Sequence, residues 1–209
     1  MKIVAAIALA LVLWQAPSAR ADGVYGRFDG DVALSLEAGV SEALGAGVGG
    51  ESLALRGGVF YLGTVGLACQ YNEAFDIAAL PLARSVVGAI ELRPLFLGRW
   101  ASDLEHGPAL LDLFVDSLAL GMGIYGAWPE AAAGFYPHHG LELSLGVSLP
   151  FIAQASAPFV ALRAALRWPL AGDDPGAIAG DMTGLLTLSL GYHHLFSAHL
   201  VDAGDRLPP

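Results

Sequence analysis

The chain has 209 residues, enough for one domain, and combines 55% hydrophobic residues with only 14% charged ones, a mean hydropathy of +0.58 and a formal net charge of −10. A single cysteine, Cys69, excludes a disulfide scaffold, and the acidic balance excludes nucleic acid as an electrostatic partner, because that is bound through clustered Lys and Arg. So many apolar residues with so few charges make a membrane class the one to test.

Met1-Lys2, the apolar run Ile3 to Trp14 and the Ala19-Arg20-Ala21 cleavage pattern read as a signal peptide over residues 1–21, with a single domain over 22–209. Lys2 is the only lysine, so losing Lys2 and Arg20 with the leader makes the mature chain two units more negative. The apolar run is too short for a spanning helix of roughly 20 residues. Two later windows, Leu143 to Leu162 and Met182 to Val201, are uncharged. Prolines break the first, and the second alternates at period two.

Alternation dominates the rest, and it predicts strands, in which successive side chains face opposite ways. The first strand is predicted over Phe28 to Ser41. The second runs from Ser52 to Gln70, with Leu53, Leu55, Val59, Tyr61, Val65 and Leu67 on one face, and the third from Arg84 to Gly98, weakening at Pro94. Leu110 to Trp128 reverses parity near Asp116-Ser117, which fits either a β-bulge or a short helix from Pro108 to Val115. Leu141 to Leu149, Phe159 to Leu170 and Met182 to Phe196 complete seven strands, the last two separated by the turn signal Asp173-Asp174-Pro175-Gly176. Single-chain bacterial barrels have even strand numbers, so an eighth is expected in Tyr71 to Leu82 or after Ser197.

The polar faces carry Glu37, Arg56, Glu91, Arg93, Glu142, Arg163 and Arg167. If they point inward, these arginines and glutamates pair across a lumen and plug it, since an unpaired buried charge is costly. A narrow selective pore is the sharper alternative. The direction of Leu141, Leu143, Leu145, Val147 and Leu149 decides the class: outward means a membrane barrel, inward a soluble lipocalin-like carrier of an apolar ligand.

The signal peptide, the strands of roughly ten residues and the single domain resemble small outer-membrane β-barrels such as OmpX and the OmpA transmembrane domain. That resemblance implies an all-β fold: a closed antiparallel up-and-down transmembrane barrel of about eight strands. It also implies an outer-membrane location in a Gram-negative cell, lipid as the surrounding partner, contact with envelope protein or lipopolysaccharide, a monomer and no cofactor. Gly191 to Phe196 is similar to the aromatic-ended last strand of such barrels, although thirteen residues follow it here.

The tail gathers the chain's densest set of chemically capable groups, Ser197, His194, His199 and Asp202. In a hydrolase an imidazole takes the proton of a serine hydroxyl and a carboxylate orients the imidazole. His199-Leu200-Val201-Asp202-Ala203-Gly204 is similar to the H-x-S-N-A-G segment of the lipid A 3-O-deacylases, with Val201 at the family's serine and Asp202 at its asparagine. A structural, non-catalytic role is therefore the primary expectation, and an acyl-hydrolase barrel the alternative. The histidine pairs at 138–139 and 193–194, with His106, suit a polar rim beside Trp100, Trp128, Tyr136 and Trp168 better than a metal site. Cys69 is expected as a half-buried hydrophobe.

Overall fold

A computed structural model describes residues 26, 30–44, 50–75, 84–102, 104, 108–128, 138–170 and 182–198. The leader, the turn signal at 173–176, His106, His199 and Asp202 lie outside them. Eight strands form one closed barrel in which each pairs with its sequence neighbours and the last returns to the first. They are β1 Val32–Leu44, β2 Gly50–Tyr61, β3 Val65–Ala74, β4 Arg84–Leu92, β5 Ala119–Trp128, β6 His138–Pro150, β7 Pro158–Pro169 and β8 Thr183–Phe196. Two helices, α1 Pro94–Ala101 and α2 Ala109–Asp116, stand between β4 and β5. Every pairing is antiparallel, and β1 meets β8 from Val32 opposite Phe196 to Leu44 opposite Gly184.

The eighth strand arises neither in a separate Tyr71–Leu82 segment nor in the tail, because the predicted strand Ser52 to Gln70 is two strands. The chain reverses at Leu62, Gly63 and Thr64, and Tyr61 faces Val65 across the hairpin. A three-residue reversal keeps odd-numbered residues opposite odd-numbered ones, so the row Leu53, Leu55, Val59, Tyr61, Val65, Leu67 passes through the turn without a change of parity. Leu62 (φ 47°) and Gly63 (φ 64°) both adopt the left-handed region. A Cβ on Gly63 would meet nothing within 4 Å. Gly63→Ala therefore isolates backbone strain, and urea unfolding is expected to show a loss of about 1 kcal/mol. An unchanged midpoint would contradict that conformation.

The third predicted strand stops at Leu92 rather than Gly98. Pro94 lacks the N–H that a ladder requires, and its fixed φ suits the first position of a helix, so the chain turns into α1 there. The parity reversal before Ser117 is the helix α2 and not a bulge. Ser117 then continues the β5–β6 register, in which Ala119 faces Gly146, without being in the strand. Its Oγ accepts from the Ser148 N–H (2.7 Å) and donates to the Ser148 carbonyl (2.8 Å), so one hydroxyl occupies the place of a backbone partner on an open strand edge.

The sidedness is inverted relative to a protein surrounded by water. Leu36 is 72% exposed and Met122 66%, and Leu67, Ile124, Leu141, Leu143, Leu145, Leu188 and Leu190 also face out. Arg56, Gln70, Asn72, Ser85, Glu91, Glu142, Arg163, Arg167, Thr187 and Ser189 are buried within. This is the distribution of a closed barrel whose surround is hydrocarbon, every backbone group being satisfied between strands. The inward leucines that a soluble carrier requires are not what the chain builds. No helix among the described residues is long and apolar enough to cross a membrane.

At the end remote from β1's start, Glu42 lies directly opposite Glu51, and Glu73 opposite Arg84. Like charges side by side on an outward face are tolerable only in water. They mark the polar limit of the apolar band, and Arg84 is also opposite Trp128 there. Cys69, expected as half-buried, is exposed on the outward row of β3.

Candidate functional site: a lumen filled with paired charge

The sheet register alone creates two of the interior contacts. Glu37 is the direct partner of Arg56, and Glu142 of Arg167. The second pair closes to 2.7 Å between Arg167 Nε and Glu142 Oε2, the first only to 3.8 Å. Closure of the barrel creates the rest, between strands that are not neighbours. Glu91 on β4 accepts from Arg56 on β2 and from Arg163 Nη1 on β7 at 2.9 Å. Arg167 also reaches across from β7 to Ser85 Oγ on β4 (3.0 Å) and lies over the Tyr125 ring at 5.0 Å.

Arg93 stands one residue beyond β4, where α1 begins. Its guanidinium lies 3.6 Å from Glu91 and 4.1 Å above the Phe60 ring, so an aromatic face supplies part of what water would have supplied. Glu91 thus accepts from two arginines, forms a longer ion pair with a third, Arg93, and is fully buried. In such surroundings the full carboxylate charge has to be met by donors, because its desolvation is otherwise uncompensated. Gly146 makes room for one of them: a Cβ there would sit 3.1 Å from the Arg163 guanidinium.

A neutral layer extends the network toward the rim. Gln70 donates to Asn72 (3.0 Å), Asn72 donates to Ser85 Oγ (3.1 Å), and Ser41 shares a hydrogen bond with Thr187 (2.6 Å). Ser189 donates to Glu37 (2.9 Å). These uncharged residues were not singled out as site residues in the sequence. Their signal is positional: Gln70 and Asn72 share the inward parity of β3, as Ser41 does on β1 and Ser189 on β8.

The connection from β4 to β5 covers the end of the barrel where β1 begins and β8 finishes. Arg99 of α1 binds both Asp112 and Asp116 of α2, the latter at 2.8 Å. Partial desolvation works against its charge, but the hydrogen bonds and charges of the two aspartates outweigh it and raise its pKa above the ordinary arginine value. Between this helical segment and the barrel mouth lies a cavity of about 90 Å³, lined by Arg93, Phe96, Asp116, Phe159 and His193 among others. The His193 ring stacks on Phe159 with centroids 4.0 Å apart.

The tail groups are distributed differently. His194 is exposed on the outward row of β8 between Tyr192 and Phe196, opposite Leu34 of β1. Ser197 follows the end of the strand and is exposed. Among the described residues no group of three or more His, Cys, Asp or Glu is arranged to hold a metal ion.

No protein-family model matches the chain, and no curated protein matches it. Among solved structures it is similar to Neisserial surface protein A, at 11% identity over 78% of this chain and 96% of that one, with a TM-score of 0.48. It is also similar to Ail, the attachment invasion locus protein of Yersinia pestis, solved in complex with the heparin analogue sucrose octasulfate. That match has 12% identity over 78% of this chain and 97% of the other, with a TM-score of 0.32.

Proposed function

We propose that the chain is a small, monomeric outer-membrane barrel, exported by cleavage after residue 21, with a structural or envelope-interaction role and without catalysis. The observation that supports this reading is the lumen itself. Glu37, Arg56, Glu91, Arg93, Glu142, Arg163 and Arg167 are held in ion pairs with one another inside it, the arrangement expected of a plug. Eight strands enclose an interior that side chains nearly fill, so the contact surface for the cell is the outer wall and the rims. Lipid is the partner of the wall, and envelope protein or lipopolysaccharide the partner of the rims.

Two measurements test the proposal. The protein is expected in the outer-membrane fraction, released only by detergent, with faster gel mobility before boiling than after. Purified and reconstituted in a planar bilayer, it is expected to give no stable conductance steps. Recovery in the soluble periplasmic fraction overturns the membrane role, and regular single-channel openings overturn the plugged lumen. For the acyl-hydrolase alternative, the readout is lipid A from cells that make the protein: unchanged acylation agrees with a non-catalytic barrel, and loss of an acyl chain contradicts it.

A further inference from the structure

The helix α2 is inverted in the same sense as the barrel wall. Its buried residues are Ala109, Asp112 and Asp116, the two acids turned toward Arg99, while Leu111 is 53% exposed and Phe114 36%. A helix packed on a protein in water presents the opposite pattern, charges out and leucines in. Phe151 and Ile152, which continue the chain just past β6, are exposed as well. They belong to the same neighbourhood, because Ser117 at the C-terminal end of α2 is hydrogen-bonded to Ser148 of β6.

The height of the strand wall supplies a second argument. The outward row of β6 from Leu141 to Leu149 rises about 26 Å along the strand. At a tilt of about 40° that is roughly 20 Å along the barrel axis, short of the typical apolar band of about 25 Å. The exposed side chains of α2 and of residues 151–152 lie at the end where the row stops, and they add apolar height there.

We infer that α2 and the segment after β6 form a collar embedded in the lipid leaflet at the end of the barrel where β1 begins and β8 finishes, with Leu111, Phe114, Phe151 and Ile152 at the boundary between acyl chains and headgroups. The collar extends the hydrocarbon-facing surface of the strands, which is the interface it is continuous with. Its occupant is phospholipid rather than a second copy of the chain. The inference rests on the membrane reading of the barrel and goes beyond it, since a barrel spans equally well with its end helices in water.

The test uses nitroxide labels on the full-length protein in phosphatidylcholine vesicles, in a Cys69→Ser background. Leu111→Cys, Phe114→Cys and Ile152→Cys carry the label in turn, with Leu145→Cys as a wall reference and Gln154→Cys, exposed at the same end, as a water reference. Folding of each variant is checked by gel mobility before boiling. Collision with oxygen, which partitions into the bilayer, is compared with collision with a water-soluble nickel chelate. The expected result is an oxygen-to-nickel ratio at 111, 114 and 152 several-fold above that at 154 and approaching that at 145. Ratios equal to that at 154, with 145 still shielded from nickel, overturn the collar and leave the barrel's membrane role standing. Nickel contact at 145 overturns both. Dipolar broadening between labels at 111 or 114, with both reagents excluded, replaces lipid by a second copy and overturns the assignment to phospholipid.

Discussion

Glu91→Gln is expected to destabilise the folded barrel by about 3 to 5 kcal/mol, the scale on which removing one partner of a buried ion pair acts. The substitution changes shape little and removes the negative charge that Arg56, Arg93 and Arg163 share, leaving a neutral amide oxygen as acceptor and an NH2 donor facing the guanidinium groups. Three guanidinium groups then remain in the lumen with Glu37 as the nearest compensation, 3.8 Å from Arg56. The measurement is urea unfolding of protein reconstituted in vesicles, followed by the gel mobility of the unboiled band. Adding Arg163→Met should recover part of the loss, because it withdraws one of the uncompensated charges, and a double-mutant cycle reads that coupling directly. A cost below about 1 kcal/mol contradicts a dry, paired lumen, since only solvated arginines tolerate the loss of their counter-charge.

Leu143→Arg is expected to cost about 2 to 4 kcal/mol, against about 0 to 1 kcal/mol for Leu44→Arg. Both leucines face outward and are 49% exposed. Leu143 lies near the middle of β6, whereas Leu44 ends β1 beyond Glu42, close to the polar rim. Depth in hydrocarbon is therefore the main difference between them. In a barrel surrounded by water the two changes have equal and small effects. The same unfolding assay separates the two cases, and equality of the two variants would falsify the lipid-facing wall.

Sidedness was the most legible property of the sequence. The row Leu141, Leu143, Leu145 shows its direction once Glu142 and Ser144 take the other face, and the even strand number follows from the need to close the wall. What escaped is what leaves parity untouched. The Leu62–Thr64 reversal keeps every side chain on its own face, so two strands read as one long one. Pro94 announced a change without saying that a helix follows, because a lost ladder donor and a good first helical residue look alike in sequence. Glu37, Arg56, Glu91, Glu142, Arg163 and Arg167 lie on inward strand faces, whereas Arg93 stands beyond the end of β4 and Arg99, Asp112 and Asp116 belong to the helices; Glu37 with Arg56 and Glu142 with Arg167 follow once neighbouring strands are placed in register. The gathering of Arg56, Arg93 and Arg163 on Glu91 did not follow. It depends on the curvature that brings β2, β4 and β7 around one lumen, and no local pattern encodes that.

The seam between β1 and β8 has a consequence for how the molecule comes into being. It joins Val32 to Phe196, so the most distant segments of the domain have to find each other before the wall is continuous. Contacts of such sequence separation carry the full entropic penalty of chain closure and make folding slow. Until that seam forms, β1 and β8 each expose an unpaired edge, and Glu37 lacks its hydrogen bond from Ser189. The unclosed wall is consequently a sheet with two adhesive edges and an incompletely neutralised polar face, prone to aggregation wherever it meets water.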